Sequence, residues 1–180
     1  MTGAAWLGAW MLGATVARSR PGPEISRDRG RPNGVVVLWP RVVPESEAPW
    51  VRDLARELQA SAARIAREVV GKRRVEARPE PERVCPREGC RAVSVSMLLA
   101  HRGSGCALAL VVGAPERGNG QLIPLHGAWL LESSELGFRE PPERAAVVED
   151  FAPCATVVPT LTPERLAPAI ERALKTEAHP

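Results

Sequence analysis

Hydrophobic residues follow two different spacings in the first half of the chain. Residues 35–39 form an uninterrupted apolar run closed by Pro40, a pattern typical of a strand buried on both faces. Residues 50–70 instead carry an apolar side chain at every third or fourth position, which predicts an amphipathic helix. Gly71 follows the last apolar position and is expected to end this helix. The apolar face consists of Trp50, Leu54, Leu58, Ala62, Ile65 and Val69.

Further strands are predicted after this helix. Residues 74–78 alternate between charged and apolar side chains, which favours a short strand, and strand, helix and strand in this order indicate a parallel βαβ unit. The almost purely apolar run at 106–112 predicts a buried strand, and residues 121–131 are expected to return beside it as a hairpin. Between the first strand and the helix, Pro40 and Pro44 are expected to force a turn.

Residues 91–100 fit two patterns. Their apolar residues alternate with two serines, as in a strand. Val93, Met97 and Ala100 also share one face of a helix. A helix would continue the alternation of strands and helices, so a helix is the expectation and a strand is the alternative.

The end of the chain predicts a last strand at 145–150 and then a helix. Thr162 can cap the helix, and Pro163 suits its first position. The start signals predict a helix of about ten residues. Pro168 falls within its first two turns and is expected to delay or kink its start. The apolar face of this helix consists of Leu166, Ile170, Ala173 and Leu174.

These elements predict one small α/β (or α+β) domain over residues 35–176. We expect a mixed sheet of about four to five strands, an amphipathic helix at 50–70 and a C-terminal helix. Residues 18–34 contain prolines, glycines and arginines without an apolar period, so they are expected to form a flexible linker. Residues 177–180 are expected to be a tail.

The N-terminus suggests export. Residues 4–17 are apolar and uncharged, but a bilayer-spanning helix needs about 20 apolar residues. The stretch fits the core of a secretory signal over residues 1–17, cleaved after Ala17, and would place the protein in the periplasm or outside the cell. No basic residue precedes the run and Arg18 follows it, a charge order that opposes the usual orientation. The alternative is an uncleaved N-terminal helix in a cytoplasmic protein.

The overall charge does not point to nucleic acid. The chain has 24 Lys and Arg against 21 Asp and Glu, a formal net charge of +3. Phosphate binding needs basic side chains concentrated on one face. The dense basic run Lys72-Arg73-Arg74 is interpreted as a solvated helix end, where cations suit the helix dipole.

Four cysteines follow the proposed signal, and an even count in an exported chain favours two disulfides. We expect the pairs Cys85–Cys90, which closes a short loop, and Cys106–Cys154, which ties a central strand to the segment before the last helix. A zinc site is an alternative, but the spacing of these residues fits it poorly. A redox pair would need a C-x-x-C motif, which is missing. Buried free thiols remain the interpretation for a cytoplasmic protein.

No catalytic or cofactor-binding motif is present in the sequence, so neither a cofactor nor a metal is expected. Two histidines are the candidates for chemistry: His101 in a polar turn and His126 at a solvent-facing strand position. A small hydrolase or transferase would need one of them beside an acid. The candidate acids are Glu132, Glu143 and Asp150.

One polar segment could act as a docking loop for a partner protein. It combines an aromatic, an arginine and two prolines at Phe138, Arg139, Pro141 and Pro142. Rigid exposed loops of this kind commonly carry binding functions. The alternative is an ordinary surface loop with internal ion pairs.

The element order resembles the N-terminal domain of periplasmic TolB-like envelope proteins. The resemblance rests on Val35–Leu38 as first strand and on Cys90–Val112 as a helix-then-strand half. The propeller repeats of that family are absent, and no functional residue carries over. The resemblance implies a non-catalytic module that binds a protein or envelope partner. The alternatives are the small enzyme described above and a cytoplasmic structural protein.

Overall fold

The computed structural model of the protein describes residues 34–71, 73–80, 92–114, 120–126 and 151–176. Within these ranges no helix is both long enough and apolar enough to cross a membrane. The strands are β1 Gly34–Val37, β2 Arg41–Val43, β3 Arg74–Ala77, β4 Ala92–Arg102, β5 Gly105–Gly113, β6 Gln121–His126 and β7 Ala152–Pro153. The helices are α1 Pro49–Val70 and α2 Pro163–Thr176, with short 3-10 turns at Cys154–Thr156 and Val158–Thr160.

The strands form one mixed sheet, so the expected α/β class is confirmed. The main order is β3-β1-β4-β5-β6, with β2 also paired to β4 and β7 to β5. β1 runs parallel to β3, with Val35 opposite Val75, and parallel to β4, with Val35 opposite Val93. β5 is antiparallel to β4 and β6. The predicted βαβ unit and the start of the predicted hairpin strand at Gln121 are therefore confirmed.

Helix α1 covers the predicted range and ends as the sequence indicates. Gly71 has a φ of 59°, which glycine adopts without steric cost, and its N–H donates to the Arg67 carbonyl at 3.1 Å. Leu58 and Ile65 in the apolar stripe are fully buried. Trp50, at the start of the same stripe, is 45% exposed and lies at the rim of the core.

Residues 91–100 form a strand and not a helix, so the helix expectation is wrong. β4 lies between β1 and β5 in the sheet, and both of its faces are buried. Met97 packs in one core cluster and Leu98 in another, so consecutive apolar residues are needed. The strand alternation was visible at the two serines, but a helix was preferred because it would continue the alternation of strands and helices, and the chain does not follow that alternation here. Ser94 is buried, and its hydroxyl donates to the Gly113 carbonyl on β5 at 2.5 Å.

A further strand was not expected between the two prolines. β2 pairs in parallel with β4, with Arg41 opposite Leu98 and Val43 opposite Ala100. β1 pairs with the earlier part of β4, so the two short strands lie one after the other along its side. Pro40 and Pro44 flank β2 and do not interrupt its hydrogen bonds.

The helices cover one face of the sheet. The main core combines α1 and α2 with alternate residues of the central strands, and the largest of these side chains are Leu58, Ile65, Met97, Leu99, Leu108, Leu110, Leu166 and Ile170. The opposite face carries a second buried cluster, which includes Leu98, Ala107, Ala109 and Val111. Val43, Leu122 and Phe151 pack against this second cluster.

The C-terminal helix begins where the sequence predicts. The backbone N–H groups of Arg165 and Leu166 donate to the Thr162 carbonyl at 3.2 and 3.1 Å. The helix has 14 residues and starts at Pro163, although it contains Pro168. The expected delay of its start is therefore wrong. The strand proposed at 145–150, the linker before Gly34, the tail at 177–180 and the signal sequence lie outside the described residues.

Candidate functional site

An open groove of about 420 Å³ lies between helix α1 and the segment that leads into α2. We call this segment, residues 152–163, the strap. The groove is a candidate site because it combines an apolar floor with charged and hydroxyl groups near its rim. The helix side consists of Leu54, Glu57, Ser61 and Arg64. The strap side consists of Cys154, Ala155, Val158, Pro159, Leu161, Thr162 and Pro163.

The helix side of the groove follows directly from the helical repeat. Leu54, Glu57, Ser61 and Arg64 are spaced by three or four residues, so they lie along one face of α1. This face borders the buried stripe, because Leu58 and Ile65 point into the core. Leu54 is half-buried and supplies the apolar contact on this side, whereas Glu57 and Arg64 are exposed.

The strap is fixed to the sheet by backbone pairing and a covalent bond. Ala152 pairs with Cys106 on β5, and the Cys154 N–H donates to the Ser104 carbonyl at 2.9 Å. A disulfide joins Cys106 to Cys154, with their Cα atoms 4.6 Å apart. One of the two expected disulfides, Cys106–Cys154, is therefore confirmed. The other expected pair, Cys85 and Cys90, lies outside the described residues.

Two short turns shape the strap between the disulfide and α2. The Thr156 hydroxyl donates to the Pro153 carbonyl at 2.8 Å, and the Thr160 hydroxyl donates to the Val157 carbonyl at 2.6 Å. Val157 is fully buried and so anchors the middle of the strap in the main core. These contacts leave Ala155 and Pro159 exposed on the groove side.

The charges near the groove are not equally neutralised. Arg64 forms an ion pair with Glu68, with Nη1 and Oε1 3.1 Å apart. Asp53 and Arg56 likewise pair with each other at 2.6 Å. Glu57 forms neither a hydrogen bond nor an ion pair with any residue in the described ranges. The groove therefore carries an uncompensated negative charge on its helix side.

One carboxyl group close to the groove has a shifted pKa. The backbone N–H of Glu164 and the hydroxyl of Thr162 both donate to the Glu164 carboxylate, and these hydrogen bonds lower its pKa below the ordinary value. The acid occupies the first turn of α2, where the helix dipole favours negative charge. Its role is to stabilise the start of the helix that follows the strap.

The sequence predicted a turn at His101. The residue instead lies near the end of β4, opposite Cys106. Its Nε2 atom lies 3.1 Å from the Pro44 carbonyl, and since a carbonyl oxygen only accepts, Nε2 carries the proton. The ring also meets Trp50 edge-on, with the ring centroids 5.6 Å apart. These contacts give His101 a structural role at the end of the sheet.

Other sequence candidates cannot be placed around the groove. His126 is the last residue of β6, and the proposed acids Glu132, Glu143 and Asp150 lie outside the described residues. The proposed docking loop, with Phe138, Arg139, Pro141 and Pro142, also lies outside them. In the part of the chain that the structure describes, no three His, Cys, Asp or Glu residues are grouped as a metal site would require.

Comparison with known proteins adds no relative. No protein-family model matches the chain, and no curated protein or solved structure is significantly similar to it.

The groove itself was missed by sequence analysis. Cys154 was the one signal on the strap side, because its pairing with Cys106 was expected. Nothing in residues 155–161 has a period or motif that predicts a wall beside α1. On the helix side, Leu54 belonged to the predicted apolar stripe, but only the fold shows that part of this stripe is left facing the groove.

Proposed function

We propose that this protein is an exported, non-catalytic module that binds a segment of a partner protein in the groove between α1 and the strap. The observation that carries the proposal is an open groove, lined by apolar and polar side chains in similar measure and held between two fixed walls. One wall is a long packed helix, and the other is a segment bonded to the central sheet. Preformed walls reduce the ordering cost of binding, which favours a docking function.

Export is supported by the disulfide. Bonds between cysteines persist in oxidising compartments, such as the periplasm or the cell exterior, and are rare in the cytoplasm. The apolar segment at residues 4–17 supports the same location.

The resemblance to TolB-like envelope modules remains part of the proposal. The parallel pairing of β1 and β3 around α1 agrees with its first half, although β2 between β1 and α1 was not part of the expected order. The helix expected in its second half is the strand β4, so that part of the resemblance no longer supports it.

The enzyme alternative finds less support. A catalytic histidine needs an acid that orients it and a nucleophile that it activates. Within the described ranges the His101 ring contacts the Pro44 carbonyl and the Trp50 ring, and it forms no ion pair. Among the described residues, His101 therefore lacks the acid partner that the enzyme alternative requires.

Photo-crosslinking in intact cells tests the proposed function. A photoreactive residue replaces Ala155 in the groove or, as the matched control, Ala60, which is exposed on α1 outside the groove. We expect a discrete adduct with one partner protein in the envelope fraction from position 155 and none from position 60. A Ser61→Trp substitution, which fills the groove from the helix side, should abolish the adduct. Recovery of uncrosslinked monomer from the cytosolic fraction would contradict both the binding function and the export.

A further inference from the structure

The charge of Glu57 is the feature of the groove that the general docking function leaves unexplained. Its side chain is exposed at the helix wall and has no hydrogen-bonding or ion-pairing partner among the described residues. The adjacent charges on α1 are paired, since Arg52 pairs with Glu80 and Asp53 with Arg56. A charge that the fold leaves unpaired beside an apolar floor is available to a ligand.

The other charged residue of the groove is already satisfied. Arg64 lies seven residues further along α1, which is about 10 Å at the helical rise, and is paired with Glu68. The groove is thus negative near Glu57 and close to neutral near Arg64. Along the strap, half-buried Val158 and buried Leu161 make it mainly apolar, and the acidic Glu164 lies just beyond this side, in the first turn of α2.

From this asymmetry we infer that the groove binds a polypeptide segment with aliphatic side chains next to a lysine or arginine. The inference rests on the proposed function and specifies its partner. The aliphatic side chains would pack against Leu54 and Val158, and the basic group would pair with Glu57. The partial exclusion of water by the bound segment would strengthen this ion pair relative to a fully exposed one.

Two synthetic peptides distinguish this partner from a generic apolar one. The basic probe is acetyl-Lys-Leu-Ala-Leu-Val-Ser-amide, and the acidic probe has Glu in place of Lys. Binding to the full mature chain is measured by fluorescence anisotropy with labelled peptides. We expect the basic peptide to bind about two- to fivefold more tightly, the ratio that an exposed ion pair supports, and this ratio should fall at high salt.

Substitution of the acid provides the decisive comparison. Glu57→Lys should reverse the preference between the two peptides. Glu171→Lys is the matched control, because Glu171 is an exposed acid on α2, away from the groove, and has no partner among the described residues. It should leave the ratio unchanged, which excludes an effect of net charge alone.

The outcomes separate the partner chemistry from the docking function. If both peptides bind equally and Glu57→Lys changes nothing, the inference is overturned while the groove function stands. If neither peptide binds at millimolar concentration, both are overturned. Ala155→Trp fills the groove from the strap and should block both peptides. Because Ala155 is exposed, this variant keeps the comparison valid if Ser61→Trp fails to fold.

Discussion

Gln59 shows how a single polar residue can join three elements. Its side chain is 8% exposed, and its amide Nε2 donates to the Val37 carbonyl at 3.2 Å and to the Arg78 carbonyl at 2.5 Å. These carbonyls lie at the ends of β1 and β3, so the residue ties α1 to two parallel strands. Sequence alone could not predict this role, because a glutamine beside a helix stripe is usually exposed and the strand ends are known only from the fold.

Replacing Gln59 by leucine should therefore be costly. The substitution keeps the size of the side chain but leaves two carbonyl groups without this donor, so we expect the free energy of unfolding to fall by about 1–3 kcal/mol. Urea denaturation followed by circular dichroism measures the change. Gln121→Leu is the matched control, because Gln121 is exposed on β6 and accepts only a solvent-exposed hydrogen bond from Arg172 at 3.1 Å, and its effect should stay within about 0.5 kcal/mol. Equal effects of the two substitutions would show that the buried hydrogen bonds contribute little.

At the scale of elements, local patterns predicted structure where the residues fit one pattern only. The uninterrupted apolar run at residues 35–39 fits a buried strand and the stripe of α1 fits a helix, and both elements were found. β4 was mistaken for a helix because its residues fit both periods and a helix would have continued the alternation of strands and helices. β2 was missed because three residues between prolines carry no readable period.

The disulfide between β5 and the strap is the element-level feature with the largest expected effect. Its cysteines are separated by 48 residues, and the loop-entropy estimate for such a bridge is about 4 kcal/mol. We expect Cys106→Ala/Cys154→Ala to lose stability of this order, measured by chemical denaturation. Peptide binding should weaken as well, because the strap loses its covalent attachment to the sheet.

Cys85→Ala/Cys90→Ala provides the comparison for this effect. In this variant a dithiol reductant can act on the Cys106–Cys154 bond without affecting Cys85 and Cys90. The reductant should lower the stability of the variant about as much as Cys106→Ala/Cys154→Ala lowers that of the original chain. A reductant that changes neither stability nor peptide binding would contradict the role given to the bridge.

For the whole molecule, the groove was harder to predict than the fold. The fold class follows from the order of strands and helices, which is local information. The walls of the groove come from α1 and from residues that follow it by about a hundred positions in the chain. Their contact depends on how α2 and the strap pack beside α1, and no pattern in either segment specifies that packing.

Export concerns the whole molecule and makes a direct prediction. If residues 1–17 act as a signal sequence, the mature chain begins at Arg18. Mass spectrometry of the protein from its native cells measures this N-terminus. An intact Met1 would contradict the proposed cleavage and the export inferred from it.

The tight connection between β4 and β5 has a consequence for the order of folding. Gly103 and Ser104 alone separate the two strands, and Gly103 has a φ of 58°, which suits the first central position of a two-residue hairpin turn. Closing so short a loop costs little chain entropy, whereas β1 meets β3 only after the whole of α1 is in place. Amide protons of β4 and β5 should therefore gain protection first in pulsed hydrogen exchange, and simultaneous protection of β3 would contradict this order. Cys106 would then be held in a formed hairpin before Cys154 reaches it, so the sheet serves as the template on which the strap is oxidised.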